Sequence, residues 1–540
     1  MDTRSRLLIA LLIVLAAFAL ALVVSRTPFE RLPHLEDEVA LLWQARLFAG
    51  GHLSLPSPQP SGAYWQPFIV DYNGQRFSKY APGWPLLLAF GAGLGAPWVV
   101  NAWLLALCAA LTYRLGRAYG GTVVGVSAAA LFVSSPMILL LSGTLMSHVA
   151  ATFWLLAGLF AGWRLTARPA RRWAILAGIA AGMLFNTRPL TALGALLPIG
   201  VALALPVIRG TWRLLASVEN LRYFARVLRA GPLARRIIWS GVRLWWRGQA
   251  WKATLGLWFV AALLITTLLT PLHTYAATGN PTTNLYRLVW DYDRIGFGPE
   301  MGRGGHTLQK ALINLGFDLN VWASDLFGWQ IAQGAQAALV ARLGVELPTG
   351  ISWILPLAGL ILARRKRVSW LLAGLFGGLV VVYLFYWAGS GIVYSTRYYS
   401  EAVPALALLS GAALHSVAQR FGRRVVWLAL AVSVAASLIG YTPDRLALLW
   451  RFNDVGQDDI AALEAQRDGR PVLILVSGEG LRSWRDWGTY MALTSPYLDS
   501  DVIAARVHNP AETALVVRQH PNRQILELPP DGVLRPFSLP

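Results

Sequence analysis

Three consecutive carboxylates, Glu36, Asp37 and Glu38, are the first residues in this chain that could do acid–base chemistry. They precede an apolar-faced helical stretch, Val39–Ala49, which Gly50-Gly51 is expected to end. Asp37 stands where a helix N-cap is favoured, so capping within a solvated acidic turn is one interpretation. The other is general-base catalysis, because partial desolvation of a carboxyl group near a membrane surface raises its pKa into a useful range.

Three cationic side chains could hold an anion such as a phosphate. Lys79 shortly precedes Pro82-Gly83, Arg188 lies between Thr187 and Pro189, and Arg397 begins the sequence Arg-Tyr-Tyr. Each lies at the edge of an apolar run of the chain. One such residue could be an ordinary side chain that reaches from the apolar region to water. Three on the same side of a membrane are better explained by an anionic ligand at the level of the headgroups.

Two histidines also lie at informative positions. His148 opens an apolar run, and His306 follows two glycines. A lone histidine is more often structural or solvated than a ligand. The sequence contains no His-x-x-x-His pair or clustered metal-binding spacing, so spacing alone does not indicate a metal.

The composition requires most of the chain to face lipid. Apolar residues make up 56% of the 540 residues, charged residues 14%, and the mean hydropathy is +0.49. A soluble protein carries roughly a quarter charged residues. Eleven apolar runs each approach the ~20 residues that a helix needs to cross a membrane. They are Leu7–Val24, Val99–Tyr113, Thr122–Leu141, Val149–Trp163, Trp173–Asn186, Leu190–Ile208, Thr254–Leu272, Ile351–Ala363, Val368–Gly389, Ala402–Gln419 and Val425–Tyr441.

The basic residues predict how these spans are oriented. With a cytoplasmic N-terminus, the short segments assigned to the cytoplasm hold more than half of the 47 Lys and Arg residues. The net charge of +20 therefore follows the membrane pattern, and a nucleic-acid partner is not indicated. The C-terminus is then outside, and Lys79, Arg188 and Arg397 all lie at the external leaflet.

One further apolar segment, Pro82–Gly95, has the length expected of a re-entrant or interfacial helix. If it crossed the membrane, every later basic loop would lie outside, against the charge rule. We therefore predict a half-embedded external helix. The first apolar run lacks a small-residue cleavage site and is expected to be a retained span.

The predicted organisation is an all-α polytopic membrane module, residues 1–441, followed by a small extracytoplasmic α/β domain, residues 442–540. External loops cover residues 25–81 and 273–350, and a basic amphipathic cytoplasmic segment covers residues 210–252, suited to an anionic lipid surface. In the tail, strands at Pro471–Ser477, Asp501–Ala505 and Arg523–Leu528 alternate with helices at Trp484–Leu493 and Ala511–His520. The single cysteine, Cys108, and the absence of a glycosylation sequon permit a bacterial cytoplasmic membrane.

The order of these motifs resembles the GT-C class of membrane glycosyltransferases. An acidic pair follows the first span, Lys-x-x-Pro-Gly precedes a half-embedded helix, and Thr-Arg-Pro and Arg-Tyr-Tyr come later. The chain looks most like the branch of protein O-mannosyltransferases and the lipid A aminoarabinose transferase, over roughly Leu7–Gly440. The strongest parts are Glu36–Gly51, Phe77–Ala89, Gly182–Ala192 and Tyr394–Leu409.

This resemblance implies an external active site, a polyprenyl-phosphate sugar donor and inverting transfer to an acceptor hydroxyl on a protein, lipid or glycan. Asp37 matches the acid that activates the acceptor, with Glu38 orienting the acceptor or an ion, and Lys79 matches the lysine that contacts the donor phosphate. The further predicted site residues are Arg188 and Arg397 for the phosphate, and Tyr398, His148 and His306 for the substrate.

The resemblance leaves a divalent metal open. In the aminoarabinose branch an acid before the lysine and a histidine in the loop between spans seven and eight share a metal. This chain has Ser78 before Lys79, and His306 in the equivalent loop. Many relatives also have an acid at the start of the fourth span, where this chain has His148.

The predicted chemistry also follows from the residue types. Polyprenyl phosphate is a usable leaving group when Arg and Lys stabilise its charge in a site shielded from water, and the acceptor hydroxyl needs a base. A transporter or flippase is a rival interpretation, but it predicts charges in mid-span and two similar halves. A non-catalytic assembly subunit is a second rival, which predicts that altering Asp37 leaves function intact while deleting the tail abolishes it.

Overall fold

The structure, a computed structural model, describes residues 3–216, 251, 254–331, 349–389, 391, 394–477 and 484–537. Most of the predicted amphipathic segment 210–252 lies outside the described residues. Helices in the first half are Thr3–Arg26, Glu36–Ala49, Gly83–Gly93, Trp98–Val133, Pro136–Gly143, His148–Ala167, Arg171–Thr187, Pro189–Ala216, Thr254–Thr278 and Leu285–Val289. Later helices are Leu308–Asp325, Ile354–Leu362, Arg367–Tyr383, Val403–Phe421, Arg423–Ala435, Thr442–Ala447, Gln457–Gln466, Gly488–Leu493 and Pro510–Gln519.

Several of these helices are long and apolar enough to cross a membrane. Within the described ranges there are six: Leu7–Arg26, Trp98–Val133, His148–Ala167, Thr254–Thr278, Arg397–Phe421 and Arg423–Ala447. Shorter apolar helices are Gly83–Gly93, Pro189–Ala202 and Arg367–Tyr383. The mostly helical architecture is confirmed, and the number of eleven spans stays a prediction.

The helical segment Trp98–Val133 contains a sharp break at Gly121, whose φ of 85° is accessible to glycine without steric cost. The break separates two of the predicted spans, as the sequence suggests. The prediction that the second one, Thr122–Leu141, is continuous is wrong. Ser135 is extended because Pro136 disfavours helical geometry in the residue before it, and a separate helix starts at the proline.

The short apolar helix Gly83–Gly93 has 11 residues and a length of about 16 Å, too short to cross a hydrocarbon core of about 30 Å. Its first residue packs closely against another helix end. A Cβ atom on Gly83 would lie 2.7 Å from the carbonyl carbon of Asn186. This contact brings the chain around Lys79 next to the chain around Arg188.

A small antiparallel sheet precedes this helix, and sequence analysis did not predict it. Strand Gln75–Ser78 pairs with Leu55–Pro56 on one side and with Ile69–Tyr72 on the other. The hairpin turn is Asn73-Gly74, with φ values of 51° and 75°. Asn-Gly is the residue pair that favours such a two-residue turn. The sheet holds Lys79 at the end of its central strand.

The C-terminal sheet consists of Val502–Arg506, Val472–Val476 and Gln524–Leu528 in that spatial order, all parallel, with Arg535–Pro536 antiparallel at the edge. The structure has strands and helices close to where the sequence predicts them in the tail, but the predicted helix Trp484–Leu493 is divided into a 3₁₀ turn, Trp484–Trp487, and a helix, Gly488–Leu493. That residues 442–540 form a separate domain stays a prediction. Alternate residues of the central strand pack into two different apolar clusters, one on each face of the sheet. Burial on both faces explains why this strand reads as a continuous apolar run.

The acidic helix, Glu36–Ala49, is buried between the main helical core and the C-terminal sheet. Leu41 and Ala45 belong to the large apolar cluster of the core helices. Val39 belongs instead to the cluster that contains Val472 of the central strand. The helix therefore has apolar contacts on two sides, which fixes the direction in which its first turn points.

Candidate active site

A cavity of about 280 Å³ brings most of the predicted site residues together. Its walls include Asp37, Lys79, Arg188, Arg397 and Tyr398, which come from four separate parts of the sequence. The charged groups lining it are three cations and two carboxylates, the second being Asp293. A surplus of positive charge in a partly enclosed space suits an anionic ligand.

Asp37 lies in the first turn of the acidic helix, and the prediction that it is the N-cap is wrong. The N-cap is Leu35, which has no side-chain capping bond. The Asp37 side chain instead points towards the cavity, where the Tyr80 hydroxyl donates a 2.5 Å hydrogen bond to Oδ1. The other oxygen, Oδ2, lies 3.8 Å from Nη2 of Arg397, and the side chain is 29% exposed. The hydrogen bond to Oδ1 thus fixes the orientation of the Asp37 side chain, and Oδ2 is accessible from the cavity.

Arg397 and Tyr398 begin a short 3₁₀ turn, Arg397–Ala402, that leads into the helix Val403–Phe421. The Tyr398 ring stacks on Tyr383, with ring centroids 4.9 Å apart and planes 7° apart. This stacking holds the turn against the helix that contains Tyr383. It leaves the side chains of Arg397 and Tyr398 on the cavity wall. Arg397 is therefore placed to contact both Asp37 and an anion in the cavity.

Lys79 is surrounded by aromatic rings rather than by carboxylates. Its Nζ atom lies 3.6 Å from the ring centre of Phe68, 4.8 Å from that of Trp290 and 5.0 Å from that of Tyr286. No carboxylate of the described chain lies within 4.0 Å of it. Burial lowers the pKa of Lys79, and the nearby Asp37 opposes this effect. The rings support the ammonium group by cation–π attraction and keep it available for an anion.

Arg188 is positioned by the proline that follows it and by a buried carboxylate. The residue is extended between the helices Arg171–Thr187 and Pro189–Ala216, as expected before proline. Its Nε atom lies 3.1 Å from Oε1 of Glu401, and Nη2 donates a 3.0 Å hydrogen bond to the Tyr383 hydroxyl. The guanidinium is therefore held in one orientation at the cavity wall.

His148 lies behind Arg188, outside the residues that line the cavity. Its Nδ1 atom is 3.1 Å from Oε1 of Glu401 and 3.2 Å from the Ser400 hydroxyl. His148, Glu401 and Arg188 thus form a buried chain in which only the arginine reaches the cavity.

Glu38 also points away from the cavity, although it is adjacent to Asp37. Its carboxylate accepts a 2.8 Å hydrogen bond from the Leu145 N–H and a 2.7 Å hydrogen bond from the Tyr394 hydroxyl. Burial raises the pKa of Glu38 to about 7, in spite of the opposing effect of these hydrogen bonds. Glu38 ties the first turn of the acidic helix to two distant segments of the chain.

His306 lies in the loop before the helix Leu308–Asp325 and does not line the cavity. Its Nε2 atom is 2.9 Å from the carbonyl oxygen of Leu384, and its ring stacks on Phe297. Within the described ranges no group of three or more His, Cys, Asp or Glu side chains is arranged to hold a metal ion. The residues of this site do not fit the metal arrangement that the resemblance leaves open.

Sequence analysis missed several residues of the site, among them Tyr80, Glu401 and Asp293. Tyr80, which contacts Asp37, directly follows Lys79 in the sequence. Glu401 stands four residues after Arg397 at the start of an apolar run, where an acid is costly and therefore indicates a role. Asp293 lies in a long loop, and no local pattern marks it.

Comparison with solved structures identifies the fold. The chain is similar to ArnT, the lipid A aminoarabinose transferase, from Cupriavidus metallidurans in two crystal structures. The apo structure gives a TM-score of 0.53 at 15% identity and covers 97% of this chain and 89% of the other. The structure bound to undecaprenyl phosphate gives 0.51 at 13% identity, over 97% and 90% of the two chains. No protein-family model and no curated protein matches the sequence.

The chain also aligns with the oligosaccharyltransferase of Archaeoglobus fulgidus, at 14% identity over 95% of this chain and 69% of the other. The TM-score of 0.39 is too low to support an argument about the fold. The likeness to ArnT shows the fold of the chain. The chain has the fold of the GT-C membrane glycosyltransferases and is a multi-pass membrane protein, as the order of its motifs predicts.

Proposed function

We propose that this protein is an integral-membrane glycosyltransferase that moves a sugar from a polyprenyl-phosphate donor to an acceptor hydroxyl, with inversion. The reaction takes place at the extracytoplasmic face of a bacterial cytoplasmic membrane, with the N-terminus in the cytoplasm and residues 442–540 forming an external domain. The observation that carries the proposal is the convergence of Asp37, Lys79, Arg188 and Arg397 on one cavity.

The three cations hold the donor phosphate. Arg188 and Arg397 offer several N–H donors in fixed directions, and Lys79 offers an ammonium group surrounded by aromatic rings. As the bond to the sugar breaks, negative charge builds up on the phosphate and is stabilised by these groups in a site partly shielded from water. The undecaprenyl phosphate bound in one ArnT structure supports this class of donor.

Asp37 is the general base. The acceptor oxygen attacks the anomeric carbon and forms the new glycosidic bond, while the bond from that carbon to the phosphate oxygen breaks and its electron pair leaves with the phosphate. The acceptor proton passes to Oδ2 of Asp37, because Oδ1 already accepts the Tyr80 hydroxyl. Attack from the side opposite the leaving phosphate inverts the configuration at the anomeric carbon.

Of the remaining predicted residues, one contacts the substrate and the others position parts of the site. Tyr398 lines the cavity and contacts the substrate. Glu38 positions the first turn of the acidic helix, and His148 acts through Glu401 on Arg188. His306 fixes the loop Gly296–His306, which closes over the site.

The substitution Asp37→Asn tests the proposal. Transfer of labelled sugar from undecaprenyl-phosphate donors to acceptors in membranes is expected to fall by about 10²–10⁴-fold, the contribution of a general base. Binding of undecaprenyl phosphate should persist, since the cations are unchanged. Glu36→Gln is the matched control, because Glu36 is in the same turn and does not line the cavity. Undiminished transfer by Asp37→Asn would remove Asp37 from the mechanism.

A further inference from the structure

Asp293 is a buried carboxylate on the cavity wall that the proposed reaction does not use. It follows the short helix Leu285–Val289 and is 5% exposed. The Trp387 indole N–H donates a 2.9 Å hydrogen bond to Oδ1. Oδ2 is buried and has no hydrogen-bond partner among the described residues. One oxygen is thus fixed by the protein, and the other is left for a ligand.

An unpaired carboxylate oxygen away from water is costly and is retained where a ligand supplies the missing donor. No cation of the described chain lies within 4.0 Å of Asp293, so a salt bridge does not satisfy it. A metal ion is an unsuitable partner, because among the described residues Asp293 belongs to no group of three or more His, Cys, Asp or Glu side chains arranged to hold one. The missing donor is therefore a hydroxyl group or a similar N–H or O–H group of the substrate.

The surrounding wall suits a sugar ring. Asn284 offers an amide, and Tyr286 and Tyr386 offer hydroxyl groups and aromatic rings. Ile295 adds an apolar side chain on the same wall. Pockets that recognise small polar ligands combine apolar and aromatic surfaces with a few such polar groups. The three cations of the cavity are the groups suited to the phosphate.

We propose that Asp293 is a specificity-determining residue, whose Oδ2 accepts a hydrogen bond from a hydroxyl group of the transferred sugar. This inference rests on the proposed function, since it assigns the sugar part of the same donor. A donor that lacks the matching hydroxyl leaves the buried oxygen unpaired and is rejected. Trp387 is the positioning residue that keeps Oδ2 directed at the sugar.

The test compares two kinds of lipid in detergent-solubilised full-length protein. The probes are undecaprenyl phosphate and undecaprenyl phosphates that carry glucose, galactose, mannose or arabinose. Wild-type protein is expected to bind at least one glycosylated probe about tenfold more tightly than undecaprenyl phosphate. Asp293→Asn should abolish this gain because it replaces the acceptor Oδ2 by an amide N–H₂, and the affinity for undecaprenyl phosphate should change less than about twofold.

Two further variants separate recognition from misfolding. Trp387→Phe removes the donor to Oδ1 and should reduce the gain partly, again without changing undecaprenyl phosphate binding. Asp291→Asn is the matched control, because Asp291 lies two residues away with its side chain 76% exposed and paired with Arg287 and Arg294. It should bind every probe as the wild type does.

The inference is overturned if the sugar-dependent gain survives in Asp293→Asn, or if the affinities for both kinds of lipid fall together. It is also overturned if the wild type binds no glycosylated probe more tightly than undecaprenyl phosphate. Failure of the proposed function has a different signature, because the wild type would then bind none of the polyprenyl phosphates.

Discussion

Asp37 and Glu38 are neighbours in sequence, but their environments differ in a way that separates their roles. Asp37 reaches the cavity with one oxygen accessible, whereas both oxygens of Glu38 accept hydrogen bonds from the protein. Successive residues of a helix point about 100° apart, so a helix lying at a cavity wall presents only one of them to the cavity. The sequence predicted an acidic pair, and the rotation of the helix decides which member meets the substrate.

Glu38 predicts a pH dependence of stability. Its pKa in the folded protein is about 7, above the ordinary value of 4.5, so the folded state binds the proton more tightly than the unfolded state. The gain in the free energy of unfolding that results is fully present below about pH 4.5. It is lost as the pH rises through 7, and the loss is on the order of 3 kcal/mol once Glu38 is fully ionised. The melting temperature of the wild type in detergent should therefore fall between pH 5 and pH 8.

Glu38→Gln should flatten this dependence, because a glutamine cannot ionise and can still pair with the Leu145 N–H and the Tyr394 hydroxyl. Glu464→Gln is the control, since Glu464 is an exposed carboxylate of the C-terminal helix Gln457–Gln466. An equally steep decline in Glu38→Gln would assign the effect to other groups.

At the scale of elements, the acidic helix is the connection between the membrane helices and the C-terminal sheet. Besides Val39, polar contacts join the acidic helix to the segment that precedes strand Val502–Arg506: Arg46 donates a 2.6 Å hydrogen bond to the carbonyl of Ala492, and the Tyr497 hydroxyl donates one of 3.0 Å to the carbonyl of Leu47. Tyr497 also packs where a Cβ atom on Gly50 would lie. The C-terminal sheet therefore constrains the helix that carries Asp37.

Val39→Ala should accordingly slow transfer more than it weakens donor binding. The shortened side chain leaves a gap against the C-terminal sheet, which loosens the turn that carries Asp37. We expect a decrease in the transfer rate of about tenfold, in line with the sensitivity of catalysis to small misplacements. The affinity for undecaprenyl phosphate should be retained, because Lys79, Arg188 and Arg397 are on other elements.

Leu515→Ala is the control for this experiment, since Leu515 is an exposed apolar residue of the helix Pro510–Gln519. Equal losses of transfer and of lipid binding in Val39→Ala would mean that the substitution damages the whole site. An unchanged transfer rate would mean that the C-terminal sheet does not position Asp37.

At the scale of the whole molecule, the proposed orientation places the cavity and the C-terminal sheet on the external side. Cysteine labelling tests it directly, because the natural chain has a single cysteine, Cys108, which is buried. Asn73→Cys in the hairpin turn should react with a membrane-impermeant maleimide in cells whose cytoplasmic membrane is intact. Arg365→Cys, in the short connection before the helix Arg367–Tyr383, should react only after that membrane is opened.

The unsubstituted protein should remain unlabelled in both conditions and serves as the background. The reverse pattern for the two cysteines would invert the orientation. It would also place the cavity on the cytoplasmic side, where the proposed external reaction could not occur.

The amino-acid sequence was enough to predict the membrane character of the chain, the positions of most helices and the strands of the tail. These properties follow from composition and from the periodicity of nearby residues. It also predicted Asp37, Lys79, Arg188 and Arg397 as site candidates, because charged residues at the ends of apolar runs are costly and therefore conspicuous. The small sheet that holds Lys79 was missed, although its Asn73-Gly74 turn was a readable signal.

The three-dimensional structure was needed to establish which of these side chains meet. Arg188 and Glu401 are in contact although more than two hundred residues separate them, and Asp293 joins the cavity from a loop without any pattern. Such contacts depend on how helices pack and rotate, which no local pattern of residue types contains. For the same reason His148 and His306, which the sequence analysis predicted as substrate-binding residues, lie behind the cavity wall rather than on it.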